Sequence, residues 1–564
     1  VEGARALRRA ATPGQGRAAG AVGRAGALAF VALSVLGLAW ALANPLLAEP
    51  DEPAQVLKAE AVVRGELLGR PARPGEPVLA PVGLSTDPTL LVRVPGVLAD
   101  VNTLPDCYFF TVRVPASCMA PIAGPAHDVE VPTYVARYPP LYYLVVGLPT
   151  LATPGAPGIY AMRVLSWLWC AALLSGAFAV AWRRSRLSAF GVVAAVTPAT
   201  AYYGAAVNPN GLEIAAAVAA WMVGLDLVRP LDAPVGRPPP VGRVVGFALA
   251  AGTLVVTRGL SPAWLVGIAV VLSLVALPGR VPVLVRARSV RRCAGILALI
   301  TVAALAWILV VRTLSELSLP VRRGTPLVVV ARLALQATGR YLLEMVGPLT
   351  WNGPLVDPLT SVLLAAASSL LVLGALWVAP GRLRLGLVLV LVATFAVPVA
   401  ADLVGAYHYG VVWQGRYTMP VAVGVVVLAA DALGEAARRA GALHGGPLPR
   451  GGRVGAFAER LLPALLVSWW LAGVVELLWV LHRYVAGSSS PLIDVLSGPW
   501  RPPLGPLVLL GLAAAGGALL AVGVLVRRRD GVGDSPPLGG AGGTAEVAAA
   551  SLFGCDDASV AGRP

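Results

Sequence analysis

Residues 27–47 hold no charged side chain, and further apolar runs follow along the chain, separated by short basic linkers. About 20 apolar residues are what an α-helix needs to cross the hydrocarbon core of a bilayer. Inside hydrocarbon only a helix or a closed barrel satisfies its own backbone. The pattern therefore predicts an all-α polytopic transmembrane protein. Its 564 residues are 57% hydrophobic and only 13% charged, whereas about a quarter of the residues of a soluble domain are charged. The net charge of +15 would suit a nucleic-acid binder, but the basic residues gather in the linkers, which marks membrane orientation. No nucleic-acid partner is expected.

The first run sets the direction. Arg5, Arg8, Arg9, Arg17 and Arg24 precede it, and Glu49, Asp51 and Glu52 follow it. The positive-inside bias puts the N-terminus in the cytoplasm and the acidic turn outside. No small-residue cleavage site precedes that turn, so the run reads as a retained anchor. Residues 1–24, rich in Ala, Gly and Arg, read as a disordered basic segment.

Residues 49–157 read as a first external loop with short strands, on the Val-rich pieces 89–98 and 108–114. Cys107 and Cys118 are the one cysteine pair placed outside; a disulfide and two free thiols both stay open. The run 141–151 is too brief to cross and reads as a surface helix, with Tyr138, Tyr142 and Tyr143 at headgroup depth. Arg183, Arg184 and Arg186, after a span at 160–182, then fall inside. The same rule places spans at 187–205, 212–228, 244–256, 260–277, 293–311, 359–378, 385–401, 417–430, 461–481 and 504–526. The expectation is about 12 spans with both termini cytoplasmic. A core covers 25–482, with a second external segment at 312–357 bearing a surface helix at 326–345. Residues 483–529 add an external loop and the final span, and 530–564 a disordered tail.

Three short motifs occur in order: Pro50-Asp51-Glu52-Pro53, Tyr138-Pro139-Pro140-Leu141-Tyr142 and Trp413-Gln414-Gly415-Arg416-Tyr417. On them the chain, over about residues 27–479, resembles the domain of unknown function 2142 (DUF2142) family of bacterial polytopic membrane proteins. That family in turn is similar to the GT-C superfamily of lipid-linked-sugar glycosyltransferases. The resemblance implies a GT-C-like fold in the bacterial plasma membrane. It also implies transfer of a sugar from a polyprenyl-phosphate donor to a cell-envelope glycan, lipid or protein acceptor on the outer face. Asp51 matches the essential acid just past the first span, with Glu52 beside it as a second catalytic candidate. The chain departs from the pattern at Asn210, where relatives often carry an acid, and at Tyr138, where many carry His. No cofactor is fixed by the resemblance; a carboxylate there could also hold a divalent cation, Mg or Mn.

The residue types suit that chemistry, and each has a plainer alternative. Asp51 has the type and depth of a general base for an acceptor hydroxyl, or of a surface acid at a helix end. Arg258, between two spans joined almost without a loop, suits a lipid phosphate, or simply snorkels to headgroups. Arg416 can grip a phosphate in a fork, and Trp413 and Tyr417 can pack on a sugar or isoprene, or the group forms an interfacial aromatic belt. Gln414, Tyr138 and Asn210 complete the candidate substrate-binding set. No phosphate-cradling glycine loop with its lysine is present. The competing function is a transporter or flippase of a lipid-linked or small anionic precursor, which would favour polar groups near the bilayer midplane; most ionisable groups here lie at span ends.

Overall fold

The described residues begin with helix α1 (Pro13–Ala43). The helix thus runs through residues 13–24, which the composition marked as disordered; their Ala and Arg are strong helix formers. This computed structural model describes residues 13–73, 89–231, 233–313, 325–350, 353–409, 411, 413–441 and 450–526, so residues 1–12 and the tail 530–564 lie outside them. Asn44 and Pro45 end α1, with Asn44 Nδ2 donating to the Trp40 carbonyl at 2.9 Å.

Between α1 and the next long helix sits a small subdomain. Helix α2 (Glu52–Val63) carries Pro53 in its first turn and is buried along nearly its whole length. It packs against an antiparallel sheet of β1 (Arg70–Pro71), β2 (Leu90–Val94) and β3 (Val129–Thr133), in the order β1-β2-β3. Residues 108–114 are not a strand: helix α3 (Asp106–Phe109) occupies their start, and a disulfide joins Cys107 to Cys118 with their Cα atoms 6.1 Å apart. Lys58, the chain's one lysine, is buried and donates to the carbonyls of Leu67 and Ala136. Helix α4 (Leu141–Val146) is too short to cross, as the run length predicted. Its tyrosines are packed inside the protein rather than turned out toward lipid, however. Tyr143 donates to Gln55 on α2 and Tyr142 shares a 3.0 Å hydrogen bond with Ser166, both fully buried. The exposed edge is instead Leu141, Leu144, Leu148 and Leu151.

The remaining helices are α5 (Ala156–Arg184), α6 (Arg186–Ala194), α7 (Pro198–Gly204), α8 (Pro209–Val228), α9 (Val241–Thr257), α10 (Ser261–Val275), α11 (Arg280–Arg286) and α12 (Arg288–Val311). Then follow α13 (Leu327–Val346), α14 (Pro358–Val378), α15 (Gly381–Tyr409), α16 (Gly415–Gly441), α17 (Arg450–Val485) and α18 (Pro506–Leu525). Among the described residues nine helices are long and apolar enough to cross a membrane, and α9 and α10 are shorter apolar helices. The span expected at 187–205 is not one helix. It breaks between α6 and α7, where Thr197 precedes Pro198 and caps α7 by accepting from Thr200 N at 3.2 Å; the residue before a proline is driven out of the helical region.

Helix α8 lies at the centre, its apolar window completely buried. Polar groups gather at its two ends. Near its C-terminus Asp226 takes Arg184 Nη1 at 3.0 Å, Arg183 Nη2 at 2.9 Å and Arg243 Nη1 at 3.1 Å, while Arg184 forks onto Asp431 at 2.7 and 2.8 Å. Every arginine in this layer comes from a linker the charge rule placed on the basic side. The other end of α8 carries the candidate site.

Candidate functional site

Asp51 caps the start of α2 in a left-handed conformation, φ 77°. A non-glycine residue there costs energy and persists only where its surroundings enforce it. Two groups do so: Tyr134 OH donates to Asp51 Oδ1 at 2.6 Å, and Arg416 Nη2 pairs with Oδ2. Burial, with Asp51 beside it, pushes the Tyr134 hydroxyl well above its ordinary range, which keeps it a neutral donor. The Asp51 side chain is 20% exposed against 1% for Arg416, so the acid faces outward and the cation stands behind it.

Arg416 Nη1 also meets Glu49 Oε1 at 3.1 Å, and Asn208 Nδ2 donates to the same oxygen at 2.8 Å. Burial pushes the Glu49 carboxyl well above the usual carboxylate range, against the pull of Arg416. Asn208 in turn caps α8 and links to Asn210, whose Nδ2 donates to Asn208 Oδ1 at 2.7 Å. Asn210 Oδ1 accepts from Arg258 Nη1, which also pairs with Glu213 Oε2 at 3.4 Å; Ser261 Oγ holds the other Glu213 oxygen at 2.6 Å. One chain of contacts therefore runs from Asp51 to Arg258.

The two arginines also share an aromatic ring. The Arg258 guanidinium lies 4.7 Å from the centroid of Tyr417 and that of Arg416 lies 5.3 Å from it. Tyr138 approaches Arg258 at 5.8 Å and Tyr203 approaches Arg416 at 5.6 Å. Trp413 packs edge-on to Tyr417 at 5.6 Å. Electron-rich ring faces lower the cost of holding two like charges this close. Asp51, Asn210, Arg258, Trp413, Arg416, Tyr417 and Tyr138 thus come together, and Gln414 lies beside them. Five buried atoms in the group have no hydrogen-bond partner among the described residues: Glu49 Oε2, Arg258 Nε, Gln414 Oε1, Arg416 Nε and Tyr203 OH. Buried polar atoms are seldom left so, and their gathering marks a place where a polar ligand can be held.

Glu52 is engaged elsewhere. Its carboxylate forks onto Arg163, with Nε to Oε1 at 2.7 Å, and accepts from Val207 N at 3.0 Å, both side chains fully buried. Arg163 also donates to the carbonyls of Ala41, Asn44 and Pro45 at 2.7–2.9 Å. This pair ties the end of α1 to α5 and to the α7–α8 turn. Adjacent residues on one turn thus face different partners.

Tyr134, Tyr203 and Glu344 were not foreseen. Glu344 Oε2 accepts from Gly415 N at 2.6 Å, which fixes the backbone beside Arg416. A Cβ on Gly415 would lie 2.1 Å from the Tyr341 carbonyl, so α13 crosses there only because residue 415 is glycine. No pattern in the sequence pairs residues so far apart. Among the described residues no three His, Cys, Asp or Glu side chains cluster as metal ligands do, and Glu49 and Asp51 both face Arg416. Both carboxylates are engaged by that one guanidinium.

A family described as "Predicted membrane protein (DUF2142)" matches residues 34–425, well over half of the chain, and all three motifs fall inside that stretch. The chain belongs to the DUF2142 family. No curated protein and no solved structure matches it. The DUF2142 match begins within α1 and ends within α16, so it takes in every element that builds the site and stops short of α17 and α18.

Proposed function

We propose that this DUF2142 protein is a GT-C-type membrane glycosyltransferase that moves a sugar from a polyprenyl-phosphate donor to an envelope acceptor at the outer face of a bacterial plasma membrane. The observation that carries the reading is the join between Asp51 and two buried guanidinium groups on one tyrosine ring. An outward-facing carboxylate with cations behind it suits a reaction in which a hydroxyl loses a proton while a phosphate ester departs. In that step the acceptor oxygen bonds to the sugar's anomeric carbon, its proton passes to Asp51, and the bond from that carbon to the phosphate oxygen breaks. Arg258, with Nε unpartnered, and Arg416 stabilise the charge left on the phosphate.

Twelve crossings fit the same reading. Nine long helices, the shorter α9 and α10, and the broken pair α6–α7 alternate so that residues 51, 210, 258 and 416 share one end. The basic layer at the other end of α8 supports a cytoplasmic placement, and both termini then lie inside. The Cys107–Cys118 disulfide supports an oxidising compartment for the Asp51 side.

The break between α6 and α7 favours the second reading, a transporter or flippase, because broken helices build transport sites. The backbone there is already bonded, with Trp469 Nε1 donating to Val196 O at 2.9 Å and Thr197 Oγ1 donating to Met345 O at 2.9 Å, and neither partner is ionisable. The test is Asp51→Asn in purified protein supplied with a radiolabelled sugar on polyprenyl phosphate. Transfer is expected to stop while insertion and folding persist; transfer at the normal rate would remove Asp51 as the base.

A further inference from the structure

The end of α8 away from Asp51 gathers more positive charge than its own acid balances. Arg183 of α5 and Arg243 of α9 both reach Asp226 Oδ2, at 2.9 and 3.1 Å, while Arg184 takes Oδ1 at 3.0 Å. Arg184 is balanced by a second acid, Asp431. Arg280, the first residue of α11, comes to the next residue of α8: its Nε donates to Leu227 O at 2.9 Å, and its Nη1 donates to the carbonyls of Val235 and Arg237. Among the described residues Arg280 pairs with no carboxylate, although it is only 2% exposed. Four guanidinium groups from three helices thus meet one turn of α8 that offers one carboxylate. Burial and the nearby Arg243 pull the Arg280 guanidinium below its ordinary range, against the help of Asp226. Buried charges are normally paired, and what this place lacks is an anion.

The surroundings say which anion reaches it. Helix α11 turns Val281 and Val285, one helical turn apart, outward. Helix α12 follows after a single residue and packs on both α9 and α11. It is long and apolar enough to cross a membrane, yet only 11% of its apolar stretch is buried. A spanning helix so little covered by protein faces lipid. The side chains of Arg243 and Arg183, 16% and 25% exposed, therefore open beside a lipid-covered wall at the end of the spans, where headgroups lie. We propose that Arg183, Arg243 and Arg280 hold the phosphate group of an anionic phospholipid from the leaflet on this side. Guanidinium forks match phosphate oxygens, and basic pockets between spans suit anionic headgroups. A zwitterionic headgroup brings its own cation and leaves Arg280 unbalanced. The place lies about 30 Å from Asp51, at the far end of α8, and owes nothing to the transferase reading.

The experiment uses the full chain, stripped of lipid in detergent and offered equal amounts of phosphatidylglycerol and phosphatidylcholine, with retained lipid counted by native mass spectrometry. One phosphatidylglycerol per protein is expected to persist, and phosphatidylcholine to be lost. Arg243→Gln should weaken retention about tenfold, the worth of one charge-assisted hydrogen bond; Asp226 keeps Arg183 and Arg184 in this variant, so the fold should survive. Arg439→Gln should change nothing, since Arg439 stands 61% exposed on Glu435, outside the cluster. The wild-type preference is read without any variant. Equal retention of the two lipids, or unchanged retention in Arg243→Gln, would overturn the site. Heat resistance raised by inorganic phosphate, with no phosphatidylglycerol retained, would overturn the lipid as the source of the phosphate.

Discussion

Asp51 and Glu52 are neighbours of the same charge, and the structure gives them opposite fates, so paired substitutions separate folding from chemistry. Glu52→Gln removes the carboxylate that holds Arg163, leaving a fully buried guanidinium with only the neutral carbonyls of Ala41, Asn44 and Pro45. Breaking one partner of a buried ion pair costs about 3–5 kcal/mol. The glutamine oxygen can still serve Val207 N, so the lower end, about 3 kcal/mol, is expected. Asp51→Asn removes one of two acids facing Arg416, which keeps Glu49 at 3.1 Å. The Asp51 side chain is partly exposed, so its loss should cost under about 1 kcal/mol. The assay is heat resistance of the purified protein in one detergent, read by the fraction still monodisperse after graded heating. Glu52→Gln should lose heat resistance clearly and Asp51→Asn hardly at all, while only Asp51→Asn loses transfer in protein that remains folded. Equal stability losses, or normal stability with lost transfer in Glu52→Gln, would refute the division of roles.

Arg416→Lys keeps a charge but cannot reach Glu49 and Asp51 as a fork does; the protein should fold and transfer sugar poorly, and unchanged donor dependence in a purified assay would sink the phosphate role of Arg416. Gly415→Ala would set a methyl 2.1 Å from the Tyr341 carbonyl and should cost about 1–3 kcal/mol, read as faster tryptic cleavage at the exposed Arg340 as α13 lifts away. Burial, partly offset by Arg64, pushes the Glu60 carboxyl up to about 7 from 4.5. The native state holds that proton more tightly than the unfolded chain. Its contribution is therefore complete below about pH 4.5 and is lost as the pH rises through about 7, a change of about 3 kcal/mol. Protection factors of the α2 amides, with the intrinsic pH dependence of exchange divided out, should fall over that window in the wild type and stay level in Glu60→Gln.

Much of this could be read from the chain because the bilayer forces it. Span-end placement put Asp51, Arg258 and Arg416 on one side before any contact was known, and the same logic put Arg183, Arg184, Arg229 and Arg243 on the other. What escaped was whatever depends on the facing of a side chain. Glu52 reads like Asp51 until α2 turns it toward Arg163. Tyr142 and Tyr143 look like interfacial anchors until α4 packs on α2. The α6–α7 break hides in a run apolar enough to cross, because Thr197-Pro198 makes a kink or a break according to what packs nearby; here Trp469 and Met345 receive the freed backbone and side chain. Glu344 sits on the surface helix expected at 326–345, but nothing in that helix's own sequence says that it turns Glu344 toward Gly415.

Helix α8 is gripped at both tips: Asn208 and Glu213 bind it to Glu49 and Arg258 at one, Asp226 to three arginines at the other. Twenty residues make it about 30 Å long, the thickness of the hydrocarbon. Such a strut cannot slide like a piston without tearing buried charges apart in two places at once. If the proposed transfer takes place beside it, the movement that admits substrate has to come from elements other than α8.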